Sequence, residues 1–261
     1  MRYLKLLVLF LKSSLQTELE YRANFLVQAL MRLFWASFNV FSAIILFART
    51  DEIGGWRFDQ VLIIIGLFEF INGIVEAFLQ PNVRRIISMV RDGTMDFVLT
   101  KPVNSQFMAS VRYSQVSGIT HMLAGPAILL IGFARMNYTP SPWALAQFAL
   151  MLLMAVILVY SIWMMMATVA FWVVKVDELG ELFNALWETG RFPITTFQGG
   201  VRIALTFVLP VAFMTTFPAQ AVLNTLDPRW LIAAVVMGLA ALFLCTRFWR
   251  FAVRSYSSAS S

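Results

Sequence analysis

Long apolar runs recur along the chain and constrain its fold more than any other feature. A run of about 20 apolar residues is long enough to cross the hydrocarbon core of a bilayer as a helix. The runs of roughly that length are residues 24–48, 60–79, 107–133, 144–174, 201–223 and 230–249. With 60% hydrophobic and 13% charged residues in a chain of 261, the apolar surface exceeds what one water-soluble core can bury. We therefore predict an all-α, polytopic membrane protein with six spans, organised as a single domain over residues 1–261.

The fifth run is the weakest of the six because Pro210 and Pro218 interrupt it. Proline lacks the backbone donor of a helix and kinks or breaks it. The run is compatible with a kinked span, and equally with part of a re-entrant hairpin beside five full spans. We consider Pro210 and Pro218 as the candidate gate or kink of a pathway.

The first 22 residues predict an amphipathic helix that lies in the membrane interface. Their uncharged run is short, and charged residues follow it without the small-residue cleavage site of a signal peptide. The apolar side chains at helical spacing are Leu4, Leu7, Val8, Leu11 and Leu15. Such a stripe favours an interfacial helix; a frayed extension of the first span is the alternative.

Basic residues are distributed unequally between the two sides that six spans define. With the N-terminus in the cytoplasm, Arg49, Arg57, Arg135 and Arg229 lie outside, and the other 16 of the 20 Lys and Arg residues lie on the cytoplasmic side. An excess of Lys and Arg marks cytoplasmic loops. We therefore predict that both termini are cytoplasmic. The formal charge of +6 then reflects topology and contact with anionic lipids, and it does not require nucleic acid.

Four polar residues share one face of the second run. Glu69, Asn72, Glu76 and Gln80 follow one another at steps of three, four and four residues, which places them on one side of a helix. An ionised carboxylate facing lipid at the bilayer centre is costly, so the stripe must face protein or water. It either lines a translocation path or belongs to a structural network. The candidate partners of such a network are Arg32, Arg112, His121 and a second subunit.

The connection between the second and third runs, residues 80–105, is longer than a simple connector needs. Asn82 and Gly93 can cap a short helix that has an apolar side, and Pro102 ends the unit. A helix that is apolar on one side and charged on the other fits the membrane interface and a cytoplasmic partner. The alternative is a solvated loop whose charges only set the orientation of the chain.

Residues 177–190 predict a second amphipathic helix. Apolar side chains recur there at helical spacing behind acidic residues at the helix start, and Gly190 and Pro193 end the segment. We expect this helix to pack at the cytoplasmic interface.

Sequence signals of catalysis are largely missing. No lysine in the chain follows a glycine, so the usual nucleotide-binding P-loop is impossible, and no G-x-S-x-G motif occurs. One His and one Cys exclude His-pair zinc motifs and cysteine clusters. We predict no catalytic residue, no metal site and no cofactor in this chain.

Two stretches of sequence resemble a known family. Residues 91–104 read RDGTMDFVLTKPVN; together with the N-terminal helix and six spans they resemble the membrane permease subunits of type-two ATP-binding-cassette (ABC-2) exporters. Residues 199–223, GGVRIALTFVLPVAFMTTFPAQAVL, are similar to a prokaryotic branch of six-span half-transporters. The resemblance covers essentially the whole chain.

The resemblance implies a partner set and a coupling helix. Two permease subunits, with a heterodimer favoured slightly over a homodimer, would form the path in the prokaryotic cytoplasmic membrane. Two separate ATPase subunits would bind ATP and Mg²⁺. The first cytoplasmic loop would dock on the ATPase. The residues expected at that contact are Arg84, Arg85, Ile86, Val90, Arg91, Asp92, Asp96 and Lys101.

The predicted function is therefore export of an amphipathic or lipid-like substrate, driven by ATP hydrolysis in a partner. The short outer segments leave any gate to the region from Pro210 to Pro218 and favour substrates that enter from the cytoplasm or the inner leaflet. The residues alone also allow an ion-coupled secondary transporter or channel that uses Glu69 and Glu76 and needs no ATPase.

Overall fold

The computed structural model describes residues 2–173 and 183–256. The helices are α1 (Arg2–Glu20), α2 (Arg22–Phe47), α3 (Phe58–Ile74), α4 (Gln80–Arg91), α5 (Asp96–Leu99), α6 (Ser105–Val111), α7 (Ile119–Met136), α8 (Pro142–Val169), α9 (described over 183–187), α10 (Gly199–Ile203), α11 (Val211–Met214), α12 (Thr216–Val222) and α13 (Pro228–Ser255). The smaller elements are an antiparallel hairpin of β1 (Glu52–Ile53) and β2 (Trp56–Arg57), π-helical segments at Val75–Leu79 and Ala204–Val208, and 3₁₀ turns at Val116–Gly118, Glu188–Arg191 and Ile194–Thr196.

Five helices of the described chain are long and apolar enough to cross a membrane. They are Arg22–Phe47, Phe58–Arg91, Val116–Met136, Pro142–Val169 and Pro228–Ser255. The pair Gly199–Val208 and Val211–Val222, bent by 59°, gives a sixth crossing if it is counted as one span. The predicted all-α polytopic fold is confirmed, and both a kinked span and a re-entrant hairpin fit the bent pair.

The breaks in the bent pair lie at its two prolines. Pro210 stands between the π-helical segment Ala204–Val208 and α11, at the 59° bend. Pro218 cannot donate to the carbonyl of Met214 four residues earlier, and the helix is interrupted at Thr215, between α11 and α12. Both prolines therefore shape this part of the chain.

The second span is longer than the predicted 60–79. It runs without a break from Phe58 to Arg91 through the π-helical segment, so α4 continues α3 and is not a separate helix. Pro81 has no N–H to donate to the carbonyl of Ala77. That carbonyl instead accepts the backbone N–H of Gln115 at 2.8 Å, and the helix continues although one of its bonds is missing.

The third predicted run, 107–133, is divided in the structure. It begins in the short helix α6, and the spanning helix starts only at Val116. Asn82 explains the division: its Nδ2 donates to the Tyr113 carbonyl at 2.6 Å, and its Oδ1 accepts the Tyr113 N–H at 2.9 Å. Because a side chain satisfies the Tyr113 backbone, the chain can leave the helix there. Asn82 therefore joins two segments, and the expectation that it caps a helix is wrong.

The fourth predicted run ends early and the second amphipathic helix is described only in part. α8 stops at Val169, although the apolar run was predicted to continue to residue 174. Of the helix predicted over 177–190, residues 177–182 lie outside the described residues. Residues 183–187 are helical, and the 3₁₀ turn Glu188–Arg191 follows.

α3 lies at the centre of the fold and α2 at its edge. In the most apolar stretch of each span, 72% of residues are buried for Phe58–Arg91 but only 11% for Arg22–Phe47 and 17% for Pro228–Ser255. The core surrounds α3, α8 and α12, with Phe68, Met151 and Phe213 fully buried. α2 and α13 therefore leave broad apolar faces open to lipid or to another subunit.

α1 keeps its apolar stripe exposed, as an interfacial helix requires. Leu4 and Val8 are exposed, whereas Glu18 points inward. The Glu18 carboxylate accepts the N–H groups of Val116 and Ser117 at 2.6 and 3.0 Å. A carboxylate at this position caps the N-terminus of the third span, so α1 is fastened to the junction where that span begins.

Candidate functional site

A polar cavity of about 790 Å³ lies between α2, α3, α4 and the segment 188–191. All four residues of the predicted stripe, Glu69, Asn72, Glu76 and Gln80, line it. The other lining residues are Val27, Gln28, Met31, Arg32, Trp35, Phe38, Asn39, Arg84, Gln115, His121, Glu188 and Arg191. The helical spacing of the stripe thus corresponds to one shared wall.

Glu69 is the most deeply placed acid of this cavity, with 1% of its surface exposed. Its Oε1 accepts a hydrogen bond from Asn39 Nδ2 at 2.6 Å, and Asn39 Oδ1 accepts one from Arg191 Nη1 at 2.9 Å. Glu69 Oε2 is buried without a hydrogen-bond partner among the described residues. α2 therefore supplies an amide that joins the acid on α3 to the cation that follows α9.

Glu76, one turn and a half further along, forms an ion pair with Arg32 at 2.6 Å. Arg32 also contributes its carbonyl, which accepts His121 Nε2–H at 2.9 Å. His121 Nδ1 faces both acids, 3.6 Å from Glu76 Oε2 and 3.9 Å from Glu69 Oε2. Two of the predicted network partners, Arg32 and His121, thus meet the stripe.

The third predicted partner, Arg112, does not reach the cavity. Its guanidinium lies over the ring of Tyr113, 5.4 Å from the ring centroid. At the remaining stripe positions, Asn72 Oδ1 accepts the indole N–H of Trp187 at 3.0 Å. Gln80 lines the cavity near Arg84.

The sequence interpretation missed a second polar face, on α2. Gln28, Arg32 and Asn39 are separated by four and seven residues, which places them on one side of the helix. This spacing was a usable signal. Gln28 Oε1 accepts from Arg32 Nη1 at 3.3 Å, from Gln115 Nε2 at 2.6 Å and from Ser117 Oγ at 3.0 Å. It therefore joins α2 to the start of the third span.

Arg191 and Glu188 were also missed as cavity residues. Arg191 was counted among the cytoplasmic charges, yet it binds Asn39 inside the cluster and lies 3.5 Å from Glu188. Its Nε is buried without a partner among the described residues. Only the folded chain brings this segment to α2, because 152 residues separate Arg191 from Asn39.

Two apolar grooves adjoin the cavity along α2 and α7. One, of about 700 Å³, shares Phe38 with the polar cavity, and the other, of about 590 Å³, continues it toward Arg135. Val40, Ile44, Ile128 and Ile131 line both grooves. Polar and apolar surfaces of the size of a lipid-like molecule are therefore contiguous.

The segment 80–105, which we call the coupling segment, presents most of its predicted charges to solvent. Arg84, Arg85, Arg91, Asp92 and Lys101 are exposed, and Asp96 and Val90 are half-buried. Ile86 is fully buried in the core. Its expected contact with a partner subunit is therefore ruled out by packing, and Ile86 instead holds α4 against the other helices.

Phe97 is an exposed aromatic residue that the sequence interpretation did not select. Its surface is 71% exposed on α5, beside the exposed Arg91 and Asp92. Large aromatic side chains at the centre of a patch are common anchors of protein interfaces. The exposed patch of the coupling segment therefore combines charge with one apolar anchor.

The far end of the coupling segment is fastened to α8 and α13. Trp249 Nε1 donates to Ser105 Oγ at 3.1 Å, and Gln106 Nε2 donates to Tyr160 Oη at 3.3 Å. Tyr256 lies in the same region, where burial and then the charge of Asp96 raise the pKa of its hydroxyl. Displacement of this segment would therefore reach the fourth and sixth spans directly.

The described part of the chain contains no group of three or more His, Cys, Asp or Glu residues that could hold a metal ion. The model of a protein family described as "ABC-2 family transporter protein" matches residues 33–260. Comparisons with curated proteins and with solved structures gave no match.

Proposed function

The chain belongs to the ABC-2 transporter family as a membrane subunit, and we propose that it forms the path for ATP-driven export of an amphipathic, lipid-like substrate. Family membership implies pairing with ATP-binding-cassette subunits. We place the complex in the prokaryotic cytoplasmic membrane, with two permease subunits, as a heterodimer, and two ATPase subunits that bind ATP and Mg²⁺.

One observation carries the proposed mechanism: a single helix bears both the coupling charges and the cavity stripe. Phe58–Arg91 is continuous over 34 residues, about 50 Å at the rise of an α-helix. Arg91 stands at its exposed end, and Glu69 and Glu76 stand on the cavity wall. A push on the exposed end would shift the stripe relative to α2.

The substrate class follows from the contiguous surfaces. A polar cavity that carries both signs of charge suits a hydrophilic head, and the adjoining grooves of Val40, Ile44 and Ile131 suit acyl or aromatic groups. Because α2 is exposed along most of its length, such a molecule can enter laterally from the bilayer.

Coupling is tested with Arg91→Glu and Phe97→Ala in the full complex. We expect each variant to insert normally but to lose most co-purifying ATPase, because a charge contact and an apolar anchor of the interface are removed. Reversing Asp96 to Lys should add to the Arg91→Glu effect. The matched control is Arg229→Glu, an exposed arginine that the sequence places on the opposite side. Unchanged ATPase recovery and substrate-stimulated turnover in both variants would refute the coupling assignment.

The cavity is tested with Glu69→Gln, which preserves size and removes the charge. We expect transport to fall while complex assembly is retained. A variant that only fails to assemble would instead indicate a structural network.

The rival function, an ion-coupled transporter or channel, predicts transport without any ATPase. Proteoliposomes that contain this chain alone and an ion gradient should then accumulate substrate, with loss in Glu69→Gln and Glu76→Gln. We expect no uptake in that experiment, and ATP-dependent transport only with the ATPase subunits present.

A further inference from the structure

His121 is fixed as the tautomer that carries a proton on Nε2. That nitrogen lies 2.9 Å from the carbonyl oxygen of Arg32, and a carbonyl oxygen can only accept a hydrogen bond. The ring therefore donates from Nε2. If the ring is neutral, Nδ1 is left with a lone pair and no proton.

Nδ1 points at negative charge. It lies 3.6 Å from Glu76 Oε2 and 3.9 Å from Glu69 Oε2. His121 and Glu69 are 4% and 1% exposed, and both Nδ1 and Glu69 Oε2 lack a hydrogen-bond partner among the described residues. A bare lone pair facing two carboxylates in a buried site is unfavourable, whereas a proton between them would satisfy all three atoms.

The charges of the surrounding elements leave the same deficit. The carboxylates are Glu69 on α3, Glu76 on the π-helical segment and Glu188 before Arg191; the nearby cations are Arg32 on α2 and Arg191. Arg84 of α4 also lines the cavity, but it is exposed. Arg32 pairs with Glu76 and Arg191 with Glu188, so the charge of Glu69 is uncompensated. A buried net charge is strongly disfavoured.

We propose that this cluster is a binding site for one proton, held between His121 Nδ1 and the carboxylates of Glu69 and Glu76. Bound, the proton neutralises the wall between α2 and α3. Released at alkaline pH, it leaves Glu69 and Glu76 to repel each other across an unprotonated nitrogen, which loosens the contact with α2. The site does not depend on which molecule is exported or on the ATPase.

The test uses the only histidine of the chain. The full chain, labelled with ¹⁵N-histidine in lipid nanodiscs, gives a single imidazole in solid-state NMR. Infrared difference spectra of the same sample detect a protonated carboxyl group. At pH 7 we expect either both ring nitrogens protonated, or Nε2–H together with a carboxylic acid band that disappears in Glu69→Gln or Glu76→Gln.

Variants give the magnitude. Because an opposite charge within about 4–6 Å changes a protonation equilibrium by about tenfold or more, Glu76→Gln should reduce the ratio of protonated to unprotonated Nδ1 at a given pH by about tenfold. Glu52→Gln, an exposed acid in the β1–β2 hairpin, should leave it unchanged. An unprotonated Nδ1 in the wild type with no glutamate-dependent acid band at pH 7 would overturn the proposal, as would an equal effect of Glu52→Gln.

Discussion

α3 contacts its two neighbours in opposite ways. On one side it meets α7 in what we call the glycine seam, where Gly66 and Gly125 face each other so closely that a Cβ on Gly66 would lie 2.7 Å from the Gly125 carbonyl. On the other side it meets α2 across the polar seam, where the cavity of about 790 Å³ remains and ionic and amide groups bridge the helices.

The difference assigns a mechanical role to each side. Lipid offers no hydrophobic drive for helix association, so spans adhere through close packing at small residues or through hydrogen bonds between helices. The glycine seam leaves no space for sliding, so α3 and α7 should move as one body. The polar seam is held by a few directional contacts around a space, so α2 can move relative to that body.

The strongest break of this comparison is Gly125→Ala. Its Cβ would lie 2.5 Å from the Gly66 carbonyl and from the Phe70 N–H nitrogen, and backbone atoms cannot move aside without separating the helices. We expect destabilisation at or above the roughly 3 kcal/mol upper end of overpacking, measured by thermal melting in detergent. Gly238→Ala is the matched control, since its nearest neighbour is the flexible Met154 sulfur. Equal melting losses would mean that the glycine seam is not rigid.

Arg32→Gln should come next, because it leaves Glu76 without its ion-pair partner. The Arg32 and Glu76 side chains are 13% and 25% exposed, so we expect about 2–3 kcal/mol, below the roughly 3–5 kcal/mol typical of a fully buried pair. The double variant Arg32→Gln/Glu76→Gln should recover most of the loss in the same melting assay. Additive losses in this cycle would show that the two residues act independently.

Gln28→Leu should have a smaller effect. Its Oε1 is the shared acceptor of three donors on Arg32, Gln115 and Ser117. Removing it should cost about 1–2 kcal/mol and should increase protease or hydrogen-exchange access at residues 115–118. Gln16→Leu, on the exposed side of α1, is expected to change neither. A silent Gln28→Leu would indicate that water replaces these bonds without loss.

The smallest effect is expected from Arg135→Gln. Its ion pair with Asp59, at 2.6 Å, also joins α3 to α7, but the Arg135 side chain is 56% exposed. Such pairs contribute about 0.2–1 kcal/mol and are screened by salt, so the difference from wild type should shrink at high ionic strength. A larger, salt-independent loss would show that charge, and not only close packing, holds the glycine seam.

Several features of this architecture were visible in the sequence, and some were visible but not used. The apolar runs predicted the spans, and the steps between Glu69 and Gln80 predicted the shared polar wall. Glycines at seven-residue spacing, Gly66 with Gly73 and Gly118 with Gly125, also mark a helix-packing face. The division of the third run could not be predicted, since it depends on the Asn82 side chain binding Tyr113, 31 residues away.

The sequence by itself determined that this chain lives in a membrane, which residues cross it, and which face of the second span is polar, because hydropathy and helical period are local properties. Only the tertiary structure decided what that face meets. Asn39, Arg191 and His121 reach Glu69 from elements distant in the chain, and their distances and burial determine the charge balance of the cavity. The reason is physical: the energy of a buried charge depends on its neighbours in space, and those neighbours are set by packing that no local pattern records.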